Sequence, residues 1–198
     1  MARAVCVRCE RPLSVCLCAS LPAPVATATE LLILQHPAEA GHAKNTATLL
    51  RLGLSRCRLL RGEQFDPAAW AGPRPAWLLY PGAATESAAP APAEGLLILL
   101  DGSWRQSRLL LHLNPALAAL PRLALPPGPG GRYALRRAHR PGQLSTLEAG
   151  LLALQQLEGD EARFRPLWRA FDAFVAAGLQ RAGRMPAAAG LPGVPVVP

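Results

Sequence analysis

The most informative stretch of this chain is Leu96-Leu97-Ile98-Leu99-Leu100-Asp101-Gly102-Ser103-Trp104. Its five consecutive aliphatic residues are typical of a strand that is buried on both faces, as strands of parallel sheets are. The residues after Leu100 predict that the strand ends there and that a helix begins near Ser103. Ligands of open α/β sheets bind outside the carboxyl ends of such strands. We therefore expect Asp101 to lie in a partly dry cleft, where its carboxylate can act as a base.

Further strand and helix patterns alternate along the chain. Strands are predicted over 29–35, 56–60, 77–80 and 133–136, and helices over 44–52, 103–113, 145–158 and 162–179. Gly53 is expected to cap the first helix. Pro166 is expected in the first turn of the last helix, because proline has no N–H to donate. The alternation predicts an α/β fold with a mostly parallel sheet and helices on both faces.

Length and charge narrow the class of protein. The chain has 198 residues and a net charge of +8, and twenty of its twenty-one basic residues are arginine. An excess of positive charge of this size favours a nucleic-acid partner over a simple solubility effect. No apolar run is long enough to span a membrane, and the first residues do not resemble a signal peptide. We expect a cytoplasmic protein with reduced thiols and no membrane partner.

Four cysteines near the N-terminus predict a metal site. Cys6, Cys9, Cys16 and Cys18 lie within thirteen residues. Four thiolates at such spacing can surround Zn²⁺ and leave no open coordination position, so the zinc would be structural. A pair of disulfides is the alternative, and reduced thiols disfavour it. Cys57 stands alone and is expected to be a buried thiol. We divide the chain into a zinc-binding head (1–22), an α/β domain (23–183) and a disordered tail (184–198).

Several short motifs, taken in order, resemble the DTW-domain family of tRNA-uridine aminocarboxypropyltransferases. They run from Cys6 to about Glu158: Cys6-x2-Cys9-x-Arg11-Pro12-x3-Cys16-x-Cys18, His36-Pro37-x-Glu39, Asn45-Thr46, Tyr80-Pro81-Gly82, Asp101-Gly102-Ser103-Trp104, Tyr133-x2-Arg136 and Leu144-Ser145-Thr146-Leu147-Glu148-Ala149. Each motif alone is weak, and their order and spacing are specific. The family usually has threonine at the position of Ser103, which keeps the hydroxyl.

The resemblance implies a fold, a co-substrate and a reaction. The fold would be related to that of the SPOUT methyltransferases, which carry a trefoil knot and bind S-adenosylmethionine in loops at the carboxyl ends of strands. The reaction would transfer the 3-amino-3-carboxypropyl group of S-adenosylmethionine to N3 of a uridine in tRNA and release methylthioadenosine. The uridine nitrogen carries a proton at neutral pH, so a general base is useful, and Asp101 is the candidate. The alternative for Asp101 is a helix N-cap.

Cofactor contacts are expected from three places in the sequence. They are the loop after the strand 77–80, the turn after Leu100 and the start of the helix 145–158, with the residues Tyr80, Pro81, Gly82, Asp101, Gly102, Ser103, Trp104, Ser145, Thr146 and Glu148. Ser145 and Glu148 also fit a capping box, which by itself needs no ligand. Trp104 could stack on a ring of a ligand or belong to the core. His36 could orient a substrate or be a surface histidine.

RNA contacts are expected from two groups of arginines. One lies on the helix after Trp104 and the other within a nine-residue stretch; together they are Arg105, Arg108, Arg132, Arg136, Arg137 and Arg140. Planar guanidinium groups suit phosphates. Two other functions stay open: a methyltransferase that uses the same co-substrate, and a zinc-containing RNA-binding module without catalysis.

Overall fold

Five parallel strands form one sheet at the centre of the protein. The computed structural model describes residues 4–81, 94–126, 131, 133 and 144–183. The strands are Glu30–Gln35 (β1), Cys57–Arg61 (β2), Ala76–Leu79 (β3), Leu96–Asp101 (β4) and Arg122–Leu123 (β5). Their order in the sheet is β2-β1-β4-β3-β5, and every pairing between them is parallel. The predicted parallel α/β sheet is confirmed. The strand predicted over 133–136 lies outside the described residues except for Tyr133.

In the described residues, α-helices follow β1, β4 and β5, whereas β2 and β3 are not followed by one. The helices are Ala47–Gly53 (α1), Trp104–Leu113 (α2), Pro115–Ala118 (α3), Thr146–Glu158 (α4) and Glu161–Arg181 (α5). Short 3-10 turns occur at Leu13–Val15, Pro37–Glu39 and Pro67–Ala69. None of the helices in the described ranges is both long enough and apolar enough to cross a membrane.

The two central strands are buried on both faces, as their aliphatic runs predict. Alternate residues of β1 point to opposite sides, because side chains alternate along a strand. Leu31 and Ile33 enter a core that α1, α4 and α5 cover. Leu32 and Leu34 enter a second core on the other face, which includes Leu117 of α3. Helices therefore pack on both faces of the sheet.

The junction of β1 and β4 is the point where the direction of winding reverses. β1 is followed by α1 on one face, and β4 is followed by α2 and α3 on the opposite face. The register places Gln35, the last residue of β1, beside Asp101, the last residue of β4. A crevice forms where the chain leaves two neighbouring strands toward opposite faces. The fold thus places Asp101 at the position in the sheet where such a crevice is expected.

Two local expectations are wrong. Gly53 is the last helical residue of α1, and Leu54 is the C-cap. A Cβ at Gly53 would overlap the side chain of Leu167 in α5, so the glycine serves close helix packing. Pro166 is the sixth residue of α5, beyond its first turn. Burial of Phe164 and Phe171 on either side of Pro166 keeps the helix continuous despite the lost backbone hydrogen bond.

The cysteine-rich head packs into the same core as the sheet. Val5 pairs with Pro12 in an antiparallel bridge, which closes the loop between them. Cys9 and Leu17 belong to the buried cluster that also contains Leu31 of β1 and Phe174 of α5. The head is therefore attached to the sheet by apolar contacts, and the boundary after residue 22 stays a prediction. The proposed tail, 184–198, lies outside the described residues.

Candidate active site at the carboxyl edge of the sheet

The carboxylate of Asp101 is buried and surrounded by hydrogen-bond donors. Only 3% of the residue is exposed. Its Oδ2 accepts from Gln35 Nε2 at 2.8 Å and from Asn45 Nδ2 at 2.7 Å. Its Oδ1 accepts from the Thr146 hydroxyl at 2.6 Å. A buried charge is stable only when it is paired or hydrogen-bonded, and three donors provide this here.

The donors come from three different elements, so the carboxylate ties these elements together. Gln35 ends β1, Asn45 precedes α1, and Thr146 begins α4. The Asn45 side chain also accepts from the amide of Ala47 at 2.9 Å, which holds the start of α1. Next to it, Thr46 Oγ1 accepts from the amide of Leu147 in α4 at 3.3 Å. The motifs Asn45-Thr46 and Ser145-Thr146 therefore meet at Asp101.

The hydrogen bonds of Asp101 restrict what its carboxylate can do. The suggestion that Asp101 is a helix N-cap is wrong, because Ser103 takes that place at α2. Gln35 and Asn45 both occupy Oδ2, whereas among the described residues Oδ1 has one donor, the half-buried Thr146. A carbonyl-type oxygen has two lone pairs, so Oδ1 keeps one acceptor site. Any proton that Asp101 receives from a ligand would therefore arrive on the Thr146 side.

The turn after β4 presents an aromatic side chain to solvent. Ser103 and Gln106 form a capping box at the start of α2, in which the Ser103 hydroxyl accepts from the Gln106 amide at 3.3 Å. Trp104 is 44% exposed and does not belong to the core. Its ring meets Tyr80 edge to face, with 5.9 Å between the centroids. A Cβ at Gly102 would lie 3.0 Å from Gln106 Cβ, so a side chain at this turn would crowd Gln106.

Tyr80 and Pro81 follow β3 and lie next to this aromatic pair. The guanidinium group of Arg122 stacks over the Tyr80 ring at 5.1 Å and donates to the Pro81 carbonyl at 3.2 Å. Tyr80, Trp104 and Arg122 thus form one cluster of flat side chains near the end of β3. Gly82 lies outside the described residues.

The capping box at the start of α4 is confirmed. The Ser145 hydroxyl accepts from the Glu148 amide at 3.3 Å, and Glu148 accepts from the Ser145 amide at 2.8 Å. Together with the bond from Leu147 to Thr46, the protein itself occupies three of the amides at this helix start. These amides are therefore not available to a ligand carboxylate in this arrangement.

His36 is buried just after β1 and is not a surface histidine, whereas an orienting role toward a substrate stays a prediction. It is 9% exposed, and its Nδ1 accepts from the amide of Ala38 at 3.1 Å. Its Nε2 lies 3.1 Å from Glu63 Oε1. Both ring nitrogens have partners, so the imidazole is held in one orientation where β1 ends.

The four sulfur atoms of the head have the geometry of a metal site. The Sγ atoms of Cys6, Cys9, Cys16 and Cys18 all lie within 4.8 Å of one another. The Sγ atoms are 3.8 Å apart in the pair Cys6–Cys18 and 3.7 Å apart in the pair Cys9–Cys16, too long for disulfides. Tetrahedral Zn²⁺ with bonds of about 2.3 Å separates its sulfur ligands by about 3.8 Å. The cysteines therefore fit a zinc ion.

The environments of the five thiols differ. Backbone amides of Cys9 and Arg8 lower the pKa of the Cys6 thiol to about 6. Burial raises the pKa of Cys18 to about 12. Cys57 is half-buried outside the cluster, and burial raises its pKa to about 12 as well. Cys57 is thus an inert thiol and not a fifth ligand.

The comparisons with known proteins agree with the motifs. A sequence profile described as the DTW domain matches residues 3–179. The chain belongs to the DTW-domain family.

Three curated relatives of this DTW domain share a name. The tRNA-uridine aminocarboxypropyltransferase 2 of Drosophila melanogaster is 33% identical over 77% of this chain and 66% of its own length. The proteins of the same name from Macaca fascicularis and Mus musculus are 33% and 31% identical, over 83% and 92% of this chain and 61% and 66% of their own lengths. The chain thus spans slightly less than two thirds of these relatives. No solved structure matches the chain significantly.

Sequence reasoning missed several polar residues that support the DTW motif. Gln35 ends an aliphatic run, and Arg61 Nε donates to its Oε1 at 2.8 Å. Arg61 in turn pairs with Glu10 of the head. These residues, with Arg11 and Asn45, line a small polar hollow that is partly open to solvent. The available signal was that Gln35 is a polar residue at the end of a buried strand.

The arginines predicted to contact RNA can be placed only in part. Arg105 and Arg108 are exposed on α2, next to the DTW motif. Arg132, Arg136, Arg137 and Arg140 lie outside the described residues. RNA contact stays a prediction for both groups.

Proposed function

We propose that the chain transfers the 3-amino-3-carboxypropyl group of S-adenosylmethionine to N3 of a uridine in tRNA. In this reaction a bond forms between N3 and the carbon next to sulfur. The bond between that carbon and sulfur breaks, and sulfur keeps the electron pair as methylthioadenosine. The proton of N3 must leave to a base. The names of the relatives, the basic charge of the chain and the acidic residue at the switch point of the sheet support this proposal.

The observation that carries the proposal is the surroundings of Asp101. A charge buried to this extent costs free energy unless it is held in place, and three side chains from three motifs hold it. A fold that needed only stability could place an apolar residue here. The carboxylate also lies where parallel sheets bind ligands. We infer that it serves the reaction.

Thr146 is the proposed route for the proton. Its hydroxyl is half-buried and lies 2.6 Å from Asp101 Oδ1. A hydroxyl both donates and accepts, so Thr146 can take the N3 proton while it passes its own proton to Asp101. The carboxylate then accepts the proton without losing its bonds to Gln35 and Asn45. Asp101 thus remains the proposed base, acting through Thr146.

The aromatic cluster is the proposed place for the planar part of a ligand. S-adenosylmethionine, when bound, supplies an electrophilic carbon attached to a positively charged sulfur. Trp104 offers an exposed planar face at the same edge as Asp101, and the half-buried Tyr80 and Arg122 lie beside it. Stacking on such faces holds a base or an adenine ring without sequence specificity. Pro81, Gly82, Gly102, Ser103, Ser145 and Glu148 remain proposed contacts through the loops in which they lie.

The identity of the product tests the function. Purified protein with S-adenosylmethionine and total tRNA is expected to yield methylthioadenosine and a heavier uridine. S-adenosylhomocysteine as the product would show methyl transfer instead and overturn the proposal. No product of either kind, with tRNA still bound, would indicate an RNA-binding module.

Asp101→Asn tests the proposed base most sharply. The new carbonyl can accept from Gln35 and Asn45, and the new amide can donate to the Thr146 hydroxyl, so every hydrogen bond can be kept. Only the ability to take a proton is lost, and the rate should fall by about 100-fold or more. Thr146→Val should lose most of the activity as well, whereas Thr146→Ser should keep it. Normal turnover by Asp101→Asn would exclude the base.

The exposed arginines of α2 test the RNA partner. Arg105→Glu together with Arg108→Glu should weaken tRNA binding and reduce the slope of log K against log salt by about 0.9 per lost phosphate contact. Filter binding over a range of salt concentrations measures both effects. Arg165→Glu is the control, because Arg165 is exposed on α5, away from the DTW motif. Equal losses for the two sites would contradict a specific RNA surface on α2.

The finer structural predictions stay proposals. A parallel sheet with helices on both faces supports a SPOUT-like relationship. The trefoil knot is proposed from the family resemblance. The cytoplasmic location is proposed from the composition of the chain.

A further inference from the structure

The two amide donors of Asp101 Oδ2 are connected to neighbouring residues of the cysteine-rich head. Gln35 Oε1 accepts from Arg61 Nε at 2.8 Å, and the Arg61 guanidinium group pairs with Glu10. The backbone carbonyl of Asn45 accepts from the guanidinium group of Arg11. Two adjacent residues of the head thus lead, by separate paths, to the same carboxylate oxygen.

The Arg11 path is buried and fixes Asn45. Arg11 is 2% exposed, packs over the Phe174 ring at 4.7 Å and donates to the Ala43 carbonyl at 2.7 Å. Its Nε is buried and has no hydrogen-bond partner among the described residues. An unpaired buried donor costs free energy, so Arg11 is an unfavourable choice for a residue that only fills the core. Its remaining donors hold the loop that carries Asn45.

The second connection, from Glu10 through Arg61, is exposed and holds the side-chain amide of Gln35. Glu10 has a φ of 59°, the only positive φ of a residue other than glycine in the described ranges. Glycine adopts this conformation at no cost, whereas other residues are strained. Strain at a single residue suggests that its side chain is needed. That side chain reaches Arg61, and also Arg51 at 3.7 Å.

We propose that Glu10 is a positioning residue for the transfer reaction, which acts through Arg61 and Gln35 to set the orientation of Asp101. The proposal rests on the proposed function, because it assigns the role of Glu10 to the reaction at Asp101. Glu10 touches no reacting atom. The strained glutamate instead anchors Arg61, and Arg61 then keeps the Gln35 amide turned with its nitrogen toward Asp101. The cysteine head thereby becomes part of the active site.

Glu30 provides a matched control for Glu10, and it lies on β1, the strand that also carries Gln35. It also pairs with two arginines, Arg58 and Arg74, each at 2.7 Å. Glu30 begins β1, however, whereas Gln35 ends it. Removal of either glutamate breaks the same kind of ion pair. Only the loss of Glu10 should change the orientation of the Asp101 carboxylate.

The experiment compares Glu10→Gly, Glu10→Gln and Glu30→Gln in zinc-loaded protein. Both Glu10 variants should lower kcat by about 10-fold with little change in KM for tRNA, because a misplaced group costs rate more than binding. Glu10→Gly should melt no lower than the original protein, since glycine relieves the strain. Glu30→Gln should melt lower and keep its kcat. Glu10→Gly would then lower kcat without lowering the melting temperature, whereas Glu30→Gln would lower the melting temperature without lowering kcat.

A double-mutant cycle tests the path. The effects of substitutions at residues of one hydrogen-bond network are not additive. In an Arg61→Gln background, or in a Gln35→Leu background if the first does not fold, Glu10→Gln should cost no further activity. Full additivity, or unchanged kcat in both Glu10 variants, would overturn the proposal.

A signal that does not depend on turnover separates this proposal from the proposed function. In isotope-labelled protein, the side-chain amide resonances of Gln35 should shift in Glu10→Gln and stay in place in Glu30→Gln. If the amide responds and the protein makes no product, the proposed function fails while the structural path stands. An unchanged Gln35 amide in an active protein would refute the path alone.

Discussion

A buried carboxylate at the end of β4 sets the chemistry at the scale of single residues. Asp101 is surrounded by Gln35, Asn45 and Thr146, and removal of any one donor leaves the charge less well compensated. For this reason Asp101→Ala is a poor test of catalysis, since it leaves two buried donors and the half-buried Thr146 hydroxyl without their acceptor. Asp101→Asn keeps the acceptor and isolates the proton transfer.

Gly95 illustrates a different constraint at the same scale. It precedes β4, and a Cβ there would overlap the Trp77 ring and lie 2.9 Å from the Pro75 carbonyl. Gly95→Ala should therefore lower the free energy of unfolding by about 1–3 kcal/mol. Urea denaturation measures the change. Gly72→Ala is the control: nothing lies within 4 Å of its Cβ position, so this variant should be neutral or slightly stabilising. Equal effects would contradict the packing argument.

At the scale of elements, helix starts decide how the motifs meet. Both α2 and α4 begin with a capping box, at Ser103 and Ser145. The box at α4 determines where the helix begins and therefore where Thr146 lies relative to Asp101. The signature of a hydroxyl residue followed three positions later by glutamine or glutamate is visible in the sequence. The helix starts were thus predictable, whereas their meeting at Asp101 was not.

Ser145→Ala tests this capping at α4. Loss of the hydroxyl leaves the Glu148 amide without its acceptor and should cost about 1 kcal/mol of stability. It should also reduce activity, because the start of α4 carries Thr146. Thermal unfolding and turnover are measured together, with Ser145→Thr as the variant that keeps a hydroxyl. If Ser145→Ala and Ser145→Thr behave alike, the cap has no such role.

The ion pairs of Glu30 link β1 to β2 and to the segment before β3. Burial raises the pKa of Glu30, but hydrogen bonds from Arg74 and Arg58 lower it more, so the net shift is below the ordinary value of 4.5. Because its folded pKa is depressed, its contribution to stability is present above pH 4.5 and is lost as the pH falls through the folded pKa.

Glu30→Gln should therefore lower stability in a pH-dependent way. Near neutral pH the loss should be about 1 kcal/mol, because the arginine partners are partly exposed. The difference from the original protein should vanish at acid pH. Denaturant unfolding at several pH values measures it. A difference that stays constant down to acid pH would argue against the ion pairs.

The cysteine head and the sheet act as one unit at the scale of the whole molecule. Cys9 and Leu17 lie in the core beside β1 and α5, and Arg11 reaches the loop before α1. A segment this short has little core of its own, so a bound zinc ion would stabilise it through its four thiolates. Loss of the metal should then disturb both the core and the residues that lead to Asp101.

Removal of zinc should reveal this connection. The protein is expected to carry about one zinc ion per chain. A chelator should lower its melting temperature and raise the reactivity of its thiols. Cys9→Ser should lose the metal, whereas Cys57→Ser should keep it, because Cys57 lies outside the cluster. Metal analysis and melting curves measure both effects. A protein without zinc that melts at the same temperature would contradict the assignment.

Local order along the chain determined much of this protein. The aliphatic runs of β1 and β4, the helices after these two strands, the capping boxes and the spacing of the cysteines are patterns of near neighbours, and each of these patterns is found in the structure. The continuation of α5 through Pro166 was not predictable, because burial of residues on both sides of the proline outweighs its local preference.

Only the tertiary structure decided the surroundings of Asp101. Gln35, Asn45 and Thr146 are 66, 56 and 45 residues away from it, and no local pattern specifies which of the polar side chains would converge. The same holds for Glu10 and Arg11, which approach the sheet because the head buries Cys9 and Leu17. Hydrogen bonds between distant residues depend on sheet register and helix packing, which are set when the whole chain closes around its core.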